Sequence, residues 1–552
     1  MRHSVLTIAL LLGAFTAASA QELGDVRLFS DNVYTGTART AGMGNAVSAV
    51  GGDVGSIGIN PAGSAVAGYS QFVFTPGISI SSMTAEGTVF SGMTDPVGLG
   101  DRNSIGYARG KIPNMGFVIS SDTGRRSGLK RISLGVLSNA TYDYTGKFIS
   151  SGVNLDNSYA ASLASSADGF LHDVLGKEDW FYSGDPSRMP LWEDMAGYRG
   201  RMFNMVDGQD GAYVALTEAK GSDGKYRLAA PIYQEYGQRT NGFKHDMVIN
   251  AALNFSDILY IGANLGMSYL VCNRSTYWQE EPDNPSEYPT IAYSDGTEAR
   301  FNWLRMQQNL RTNGTGVYFK LGVLVRPVAG LRLAAAIQTP TLYTISETYA
   351  YQSQVSLSGL STGEVNTPEG ESRYSFRSPM RFNAGAAYSF KRAVLSVDYE
   401  LCNFAAARFS SYSDDDFAFG DHGFTSLNDN VLDSYGVSHQ IRLGGEFRLT
   451  PNIALRGGYN LITAGEQGLD MSYASHIGSL GFGWSSDGPF FVDAAVRVRT
   501  ARSSYYTPYY YYTYDRDNGS YLEKYIDDSV ITPEVRVSPL YFDGMVTLGW
   551  RF

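Results

Sequence analysis

The chain has 552 residues, 43% of them hydrophobic, and its 38 tyrosines and 28 phenylalanines suit pleated strands and membrane boundaries. A formal charge of −11 without a basic face excludes a nucleic-acid partner, and two cysteines, Cys272 and Cys402, exclude a disulfide-framed fold while leaving their own pairing open. The length would allow two to four soluble domains, yet no stretch reads as a linker, and large barrels are the exception to that prior.

Residues 1–20 have a secretory layout: Arg2, an apolar run from Val5 to Phe15 too short to span a bilayer, and Ala18-Ser19-Ala20 before Gln21. The mature chain is expected to begin at Gln21, and the absence of Cys there argues against a lipid anchor. No later stretch approaches a transmembrane helix. Residues 21–68 then read as a plug. Gly36 to Gly63 holds eight glycines and almost no charge, so it needs an enclosing wall to offset the entropy of ordering it.

From Tyr69 onward, segments of about ten residues alternate apolar and polar side chains, as membrane barrel strands do. Fourteen are expected, near 70–82, 110–121, 130–148, 243–256, 258–272, 313–326, 331–348, 374–389, 393–408, 436–449, 452–464, 475–485, 489–512 and 539–552. The fold class is therefore all-β: a 14-stranded antiparallel transmembrane barrel over 69–552 with an N-terminal plug. Short turns at 121–129, 254–258, 327–330, 390–392, 450–452 and 485–489 alternate with long connections, which puts both chain ends and the short turns on the periplasmic side. A soluble sandwich gives no reason for that alternation.

The long loop 149–242 is expected to be partly helical, with Leu163, Ala167, Phe170, Leu171, Val174 and Leu175 on one helix face, followed by Trp180, Phe181 and Trp192. A second helical patch is expected around Phe301, Trp303, Leu304, Met306 and Leu310. Such apolar surface either packs on the barrel mouth or forms a ligand groove, for which Phe170, Leu171, Trp180, Phe181, Trp192, Phe301 and Trp303 are the candidates. Tyr505 to Tyr514 reads as an aromatic girdle running into a loop. Lumen-facing Lys320, Arg332, Asp398, Glu400, Arg442, Glu446, Arg448, Arg456, Asp493, Arg497 and Arg499 are expected to pair with one another and with the plug, and some arginines could hold a carboxylate headgroup.

Catalytic and metal motifs find no support. Gly359-Leu360-Ser361-Thr362-Gly363 fits a nucleophile elbow but lacks the flanking strand and helix. His172, His245, His422, His439 and His476 have no metal-ligand spacing, and the acidic runs at Asp414-Asp415-Asp416 and Asp515 to Asp517 read as solvated loops before calcium sites. The Gly42, Gly44 pair lacks a dinucleotide site's third glycine. No enzyme activity, metal or cofactor is expected.

The glycine-rich stretch from Thr37, with Gly42-Met43-Gly44 in it and Asn60-Pro61-Ala62-Gly63 just before the first strand, resembles the hatch of the FadL/TodX family of outer-membrane transporters for hydrophobic compounds. The Gly42-Met43-Gly44 lead-in is most similar to the branch in Bacteroidetes-type bacteria. A terminal Phe552 closing an alternating strand likewise resembles the C-terminal signal of bacterial outer-membrane proteins. The resemblance implies transport of a fatty acid-like or similar hydrophobic molecule by a monomer, an apolar outer groove, a pocket beside the hatch, and sideways release into outer-membrane lipid. Gly42, Gly44, Asn60, Pro61, Ala62 and Gly63 would be the gating residues, and Pro113 and Gly135 the candidates for a kink in an early strand that opens the wall. The rival readings are a barrel acting as a docking or shuttle component of a protein-secretion or surface-assembly system, and a diffusion porin, which a plug disfavours.

Overall fold

Strand pairing closes on itself in the computed structural model, which describes residues 23–90, 92–177, 190–292, 298–358, 360, 363–412, 424–515 and 523–552. The first seven strands are β1 (Gln71–Gly87), β2 (Asn103–Asp122), β3 (Leu129–Asp143, resuming as Gly146–Asn154), β4 (Ile232–Phe255), β5 (Leu259–Pro282), β6 (Glu298–Val328) and β7 (Leu331–Gln338 and Leu342–Ser358). The other seven are β8 (Gly370–Arg377 and Arg381–Ser389), β9 (Ala393–Asn403 and Arg408–Ser411), β10 (Val437–Arg448), β11 (Ile453–Ile462), β12 (Ser475–Ser485), β13 (Phe490–Thr500 and Ser504–Tyr506) and β14 (Val535–Arg551). Each pairs antiparallel with the next, and β14 returns to β1 from Gln71 opposite Arg551 to Gly87 opposite Val535. The expected count of fourteen and the alternation of short and long connections both hold.

The period of two fixes which face meets which solvent. On β10, Val437, Ile441, Leu443 and Phe447 are exposed while Ser438, Gln440, Arg442 and Glu446 are buried. The same parity leaves Leu265 and Met267 on β5, Leu321 and Val323 on β6, and Phe542, Val546 and Trp550 on β14 exposed on the outside. This outward apolar belt is stable only where lipid replaces water. Arg448 departs from its expected lumenal place: its side chain is 63% exposed, because it is the last residue of β10 before a short turn and so stands on the barrel lip.

Several strands run further outward than the alternation indicates: β4 begins at Ile232, β5 ends at Pro282 and β6 begins at Glu298. Above the belt these strands carry Asn273, Ser275 and Gln279 at outward positions, and their inner face packs under a cap, so the apolar-out signal fades while the ladder continues. The helical patch expected around Phe301 to Leu310 is therefore strand. Phe301 and Leu304 both face inward because a bulge at Asn302 shifts the register, and this shift imitates helical spacing.

The cap contains α4 (Tyr159–Ala167), α5 (His172–Gly176) and α6 (Trp192–Arg199). The single helix face expected from Leu163 to Leu175 is broken, since the chain leaves α4 at Asp168 and Gly169 turns it with φ +91°. Tyr159, Leu163, Met195 and Phe203 pack with Trp278, Phe301 and Leu304 into one buried core. Ser158 caps α4 by accepting the Ala161 N–H at 3.1 Å, and the Glu280 carboxylate on β5 accepts the Tyr159 N–H at 2.7 Å, tying cap to wall. Tyr509 belongs to this cap and not to a girdle: it is buried, and its hydroxyl donates to Asn157 Oδ1 at 2.7 Å. The leader expected at 1–20, Trp180, Phe181, His422 and Asp414 to Asp416 lie outside the described residues, as do parts of 359–363 and 515–517.

Because lipid solvates the outer face, Leu321→Arg is expected to cost about 2–4 kcal/mol if it sits near the bilayer midplane. Reversible urea unfolding of protein inserted in liposomes measures it.

Candidate functional site

The segment from Leu23 to Ser70 lies inside the ring. It folds into α1 (Asp25–Ser30), α2 (Ala38–Gly42), α3 (Val54–Ile57) and a 3₁₀ turn Pro61–Val66, all short, so most of its backbone carbonyls need partners from elsewhere. The wall supplies them. Lys320 on β6 donates to Gly58 O at 2.7 Å, Arg332 on β7 to Val50 O at 2.6 Å, and Arg497 on β13 to Tyr34 O at 2.8 Å. Lys244 on β4 reaches Phe29 O at 3.0 Å, Asn264 on β5 reaches Ile57 O at 2.9 Å, and Asn250 on β4 reaches Pro61 O at 3.1 Å. In the other sense, Asp398 on β9 accepts the Ser48 N–H at 2.8 Å and Thr547 on β14 accepts the Ala38 N–H at 2.7 Å.

The charges of the bore also interlock, and two of the arginines involved, Arg497 and Arg381, hold a carboxylate and a backbone carbonyl of the segment (Tyr34 O and Ser30 O) at once. Glu446 takes Arg39 of α2 at 2.9 Å and Arg456 of β11 at 2.8 Å, and Arg456 continues to Asp493 at 2.6 Å. Glu400 holds Arg381 at 2.6 Å and also Arg442, and Asp543 takes Arg497 at 2.7 Å and Lys111. Removing one member of such a buried pair typically costs about 3–5 kcal/mol because the other charge is stranded.

Backbone meets backbone at two places. Gly44, with φ +61°, touches β11 so closely that a Cβ on Gly458 would lie 2.1 Å from Gly44 N, and Gly42 is similarly seated against Gly481 of β12. Across the bore, Asn60 and Pro61 press on Gly322 of β6 and Gly262 of β5, where a Cβ would meet Asn60 Oδ1 at 2.0 Å and Pro61 C at 2.4 Å. Asn60 is extended, as its following proline favours, and has three roles. Its Oδ1 accepts the Ala62 N–H at 3.1 Å, and its Nδ2 donates to Ser48 O at 3.0 Å and Val323 O at 3.2 Å. Gly63 closes the turn by donating to Asn60 O at 3.0 Å.

The wall has one long unladdered stretch between early strands. β2 pairs with β3 only from Asn114 opposite Asn139 to Asp122 opposite Arg131. Above that point β2 keeps β1 as its partner, while β3 breaks at Tyr144 and Thr145 and its second part follows β4, packed against β1 and β2. Side chains bridge the resulting seam. Lys111 stands 3.6 Å from Asp143, and Arg109 Nη1 donates to Thr145 Oγ1 at 3.2 Å, Asn241 Oδ1 at 3.0 Å and Gly242 O at 3.0 Å. Arg239 meets the Tyr107 hydroxyl at 2.9 Å, and Asn103 donates to Ser151 Oγ at 3.3 Å. Pro113 lies beside the first unpaired position, at an irregularity where Thr75 opposes Asn114 but Gly77 opposes Lys111. Gly135 lies in regular ladder, opposite Val118 and Asn250.

Behind the broken strand is a cavity of about 520 Å³, floored by α1 and walled by Tyr142, Gly146, Tyr506 and Tyr541. Among the described residues none of the expected outer-groove side chains lines it. Leu171 is exposed, Trp192 packs on Tyr349 at 5.0 Å, and Phe170 is only partly buried against the cap core. Phe301 is sealed beside Tyr288 opposite inward Leu357, whereas Trp303 lies opposite Ser356 on the other face, so these two do not share a groove. Cys272 and Cys402 are free thiols, both buried around α1. Among the described residues no group of three His, Cys, Asp or Glu could hold a metal ion.

These features define a membrane β-barrel whose bore is filled by its own N-terminal segment and whose wall is interrupted beside an internal cavity. No family model matches the chain, and no curated protein sequence matches it. Among solved structures it is similar to a Pseudomonas aeruginosa FadL homologue, with a TM-score of 0.52 and 12% identity over 95% of this chain and 100% of that one. The toluene transporters TodX of Pseudomonas putida and TbuX of Ralstonia pickettii align at 11% and 12% identity with TM-scores of 0.47 and 0.43, each over 95% of this chain and 100% of theirs. The fold is thus the FadL-type barrel that the hatch resemblance implies.

Sequence reasoning does not single out Lys244, Asn250, Asn264 or Arg381, whose guanidinium donates to Ser30 O, as contacts of the segment, although all sit at inward positions of their strands and parity alone flags them. A Gly458→Leu side chain has no room beside Gly44 and is expected to displace the segment, giving stepwise ion conductance in planar bilayers where the unaltered protein stays closed.

Proposed function

We propose that the protein is an outer-membrane transporter of hydrophobic small molecules, in which residues 37–63 act as a hatch and cargo leaves sideways through the β2–β3 seam. The observation that carries this reading is the combination of a filled bore with a side-chain-bridged break in the wall directly beside a cavity. A molecule in that cavity has no aqueous path through the segment, whereas lipid lies just beyond β2. Leaving for lipid keeps apolar surface out of water, worth about 25 cal/mol per Å². Asn60 and Pro61 would serve as the latch, because one side chain there ties the hatch to its own loop and to β6. The outer cap, solidly packed, would shape access from outside. No catalytic chemistry is part of this reading, and the role of a secretion-system shuttle predicts a barrel indifferent to the seam.

Two manipulations test it on radiolabelled uptake of whatever apolar molecule co-purifies with gently solubilised protein. Asn60→Ala is expected to slow uptake by about tenfold, the effect of losing roughly 1.4 kcal/mol of latch geometry. An Asn103→Cys/Ser151→Cys pair, oxidised, would pin β2 to the inner part of β3 and abolish uptake until reduced. Unchanged uptake in the oxidised pair defeats the sideways route, and the absence of any co-purifying apolar molecule together with normal transport-independent growth phenotypes points to the shuttle.

A further inference from the structure

Resting on the transport reading, the cavity lining narrows the chemistry of the cargo. Six tyrosines, Tyr142, Tyr144, Tyr435, Tyr505, Tyr506 and Tyr541, contribute to the wall. Tyr142 tilts against Tyr144 at 5.0 Å and Tyr506 against Phe148 at 5.1 Å, while the Arg499 guanidinium stands over the Tyr541 ring at 3.9 Å, so the lining is rich in aromatic rings. Between the rings stand ionised groups that already satisfy each other. Arg27 on α1 holds Asp31 at 2.8 Å and Glu466 at 2.9 Å, Arg502 holds the same Glu466, and Asp143 faces Lys111 at 3.6 Å.

This lining selects against two obvious cargoes. A saturated alkyl chain would strip water from several charged side chains and return no hydrogen bond, a cost of the kind that buried polar groups always carry. At Arg27 and Arg502 a carboxylate headgroup would have to compete with Asp31 and Glu466, which already hold them. An uncharged molecule with a flat ring body avoids both penalties. Its rings stack on tyrosine, and its hydroxyl or carbonyl groups take up the hydrogen bonds that water gives to the arginine and carboxylate edges. A space of about 520 Å³ falls within the usual range for ligands of this size.

We infer that the cavity behind β3 is a binding site for neutral, hydroxylated aromatic compounds and that these, not alkyl chains, are the cargo class. The test is equilibrium binding to the full-length protein in nanodiscs, with the flavanone naringenin, hexadecanoate and toluene as probes. Naringenin is expected to bind saturably and at least about tenfold more tightly than either other probe. Ser504→Trp, which fills the cavity from β13, should abolish that binding, and Tyr506→Leu, which keeps apolar volume but removes a ring, should weaken it about fivefold, a loss of the size expected of one aromatic stacking pair. Heat-dependent gel migration confirms that both variants keep a folded barrel. Hexadecanoate or toluene binding as tightly as naringenin overturns the cargo class and leaves transport standing. Saturable naringenin binding that survives Ser504→Trp, or no binding by any probe, overturns the cavity as the site. Neither result bears on the hatch and seam, which the uptake experiments judge separately.

Discussion

An irregular backbone can sit at membrane depth only if every carbonyl and amide finds a partner, and this requirement governs the molecule. The N-terminal segment is too short-helical to satisfy itself, so the ring around it is studded with lysine, arginine and asparagine at inward positions that reach its carbonyls. The charged residues at inward positions of β10 and β13, Arg442, Glu446, Asp493, Arg497 and Arg499, would be ruinous in an ordinary sheet packed on both faces. Here they are the reason the segment has a fixed place, and carboxylates such as Glu400, Glu446 and Asp543 neutralise the arginines that line the bore.

The same logic explains why the wall is interrupted where it is. A barrel strand can leave its ladder only if its backbone is taken up elsewhere, and the second part of β3 is taken up by β4, with which it pairs from Gly146 to Asn154. The orphaned edge of β2 is met by side chains instead of by amides. Arg109 alone reaches three acceptors on β3 and β4, so the seam is held by a few flexible contacts in place of a continuous ladder. In the proposed transport route such a seam would separate at lower cost than a laddered interface, because ladder bonds must be lost together whereas side chains can exchange partners one at a time.

Much of this was legible before the structure. Parity placed Arg442, Glu446, Asp493 and Arg497 in the bore, and the run Asn60-Pro61-Ala62-Gly63 marked where the segment turns into β1. What sequence could not show has physical causes. The Asn302 bulge gave β6 an apolar spacing of three, which mimics a helix, and Gly169 split a face that looked continuous. The upper parts of β4 to β6 were invisible because the alternation reports lipid, and no lipid lies there. The seam arises where β3 leaves β2 and its second part pairs only with β4, a choice of partner that leaves no local pattern, although Pro113 stands at its edge.

β6 passes through two surroundings in one continuous strand. At Leu304 it is buried in the cap among Phe301, Trp278 and Val355, and at Val323 it faces outward from the apolar belt. Shortening a side chain at the first position leaves a void that fixed neighbours cannot fill, with the cavity penalty of a globular interior. At the second position fluid acyl chains flow into the gap, and only the contact itself is lost. Two truncations of one strand thus report on different materials, a solid and a liquid, and the level at which their costs diverge marks the outer edge of the membrane on this protein.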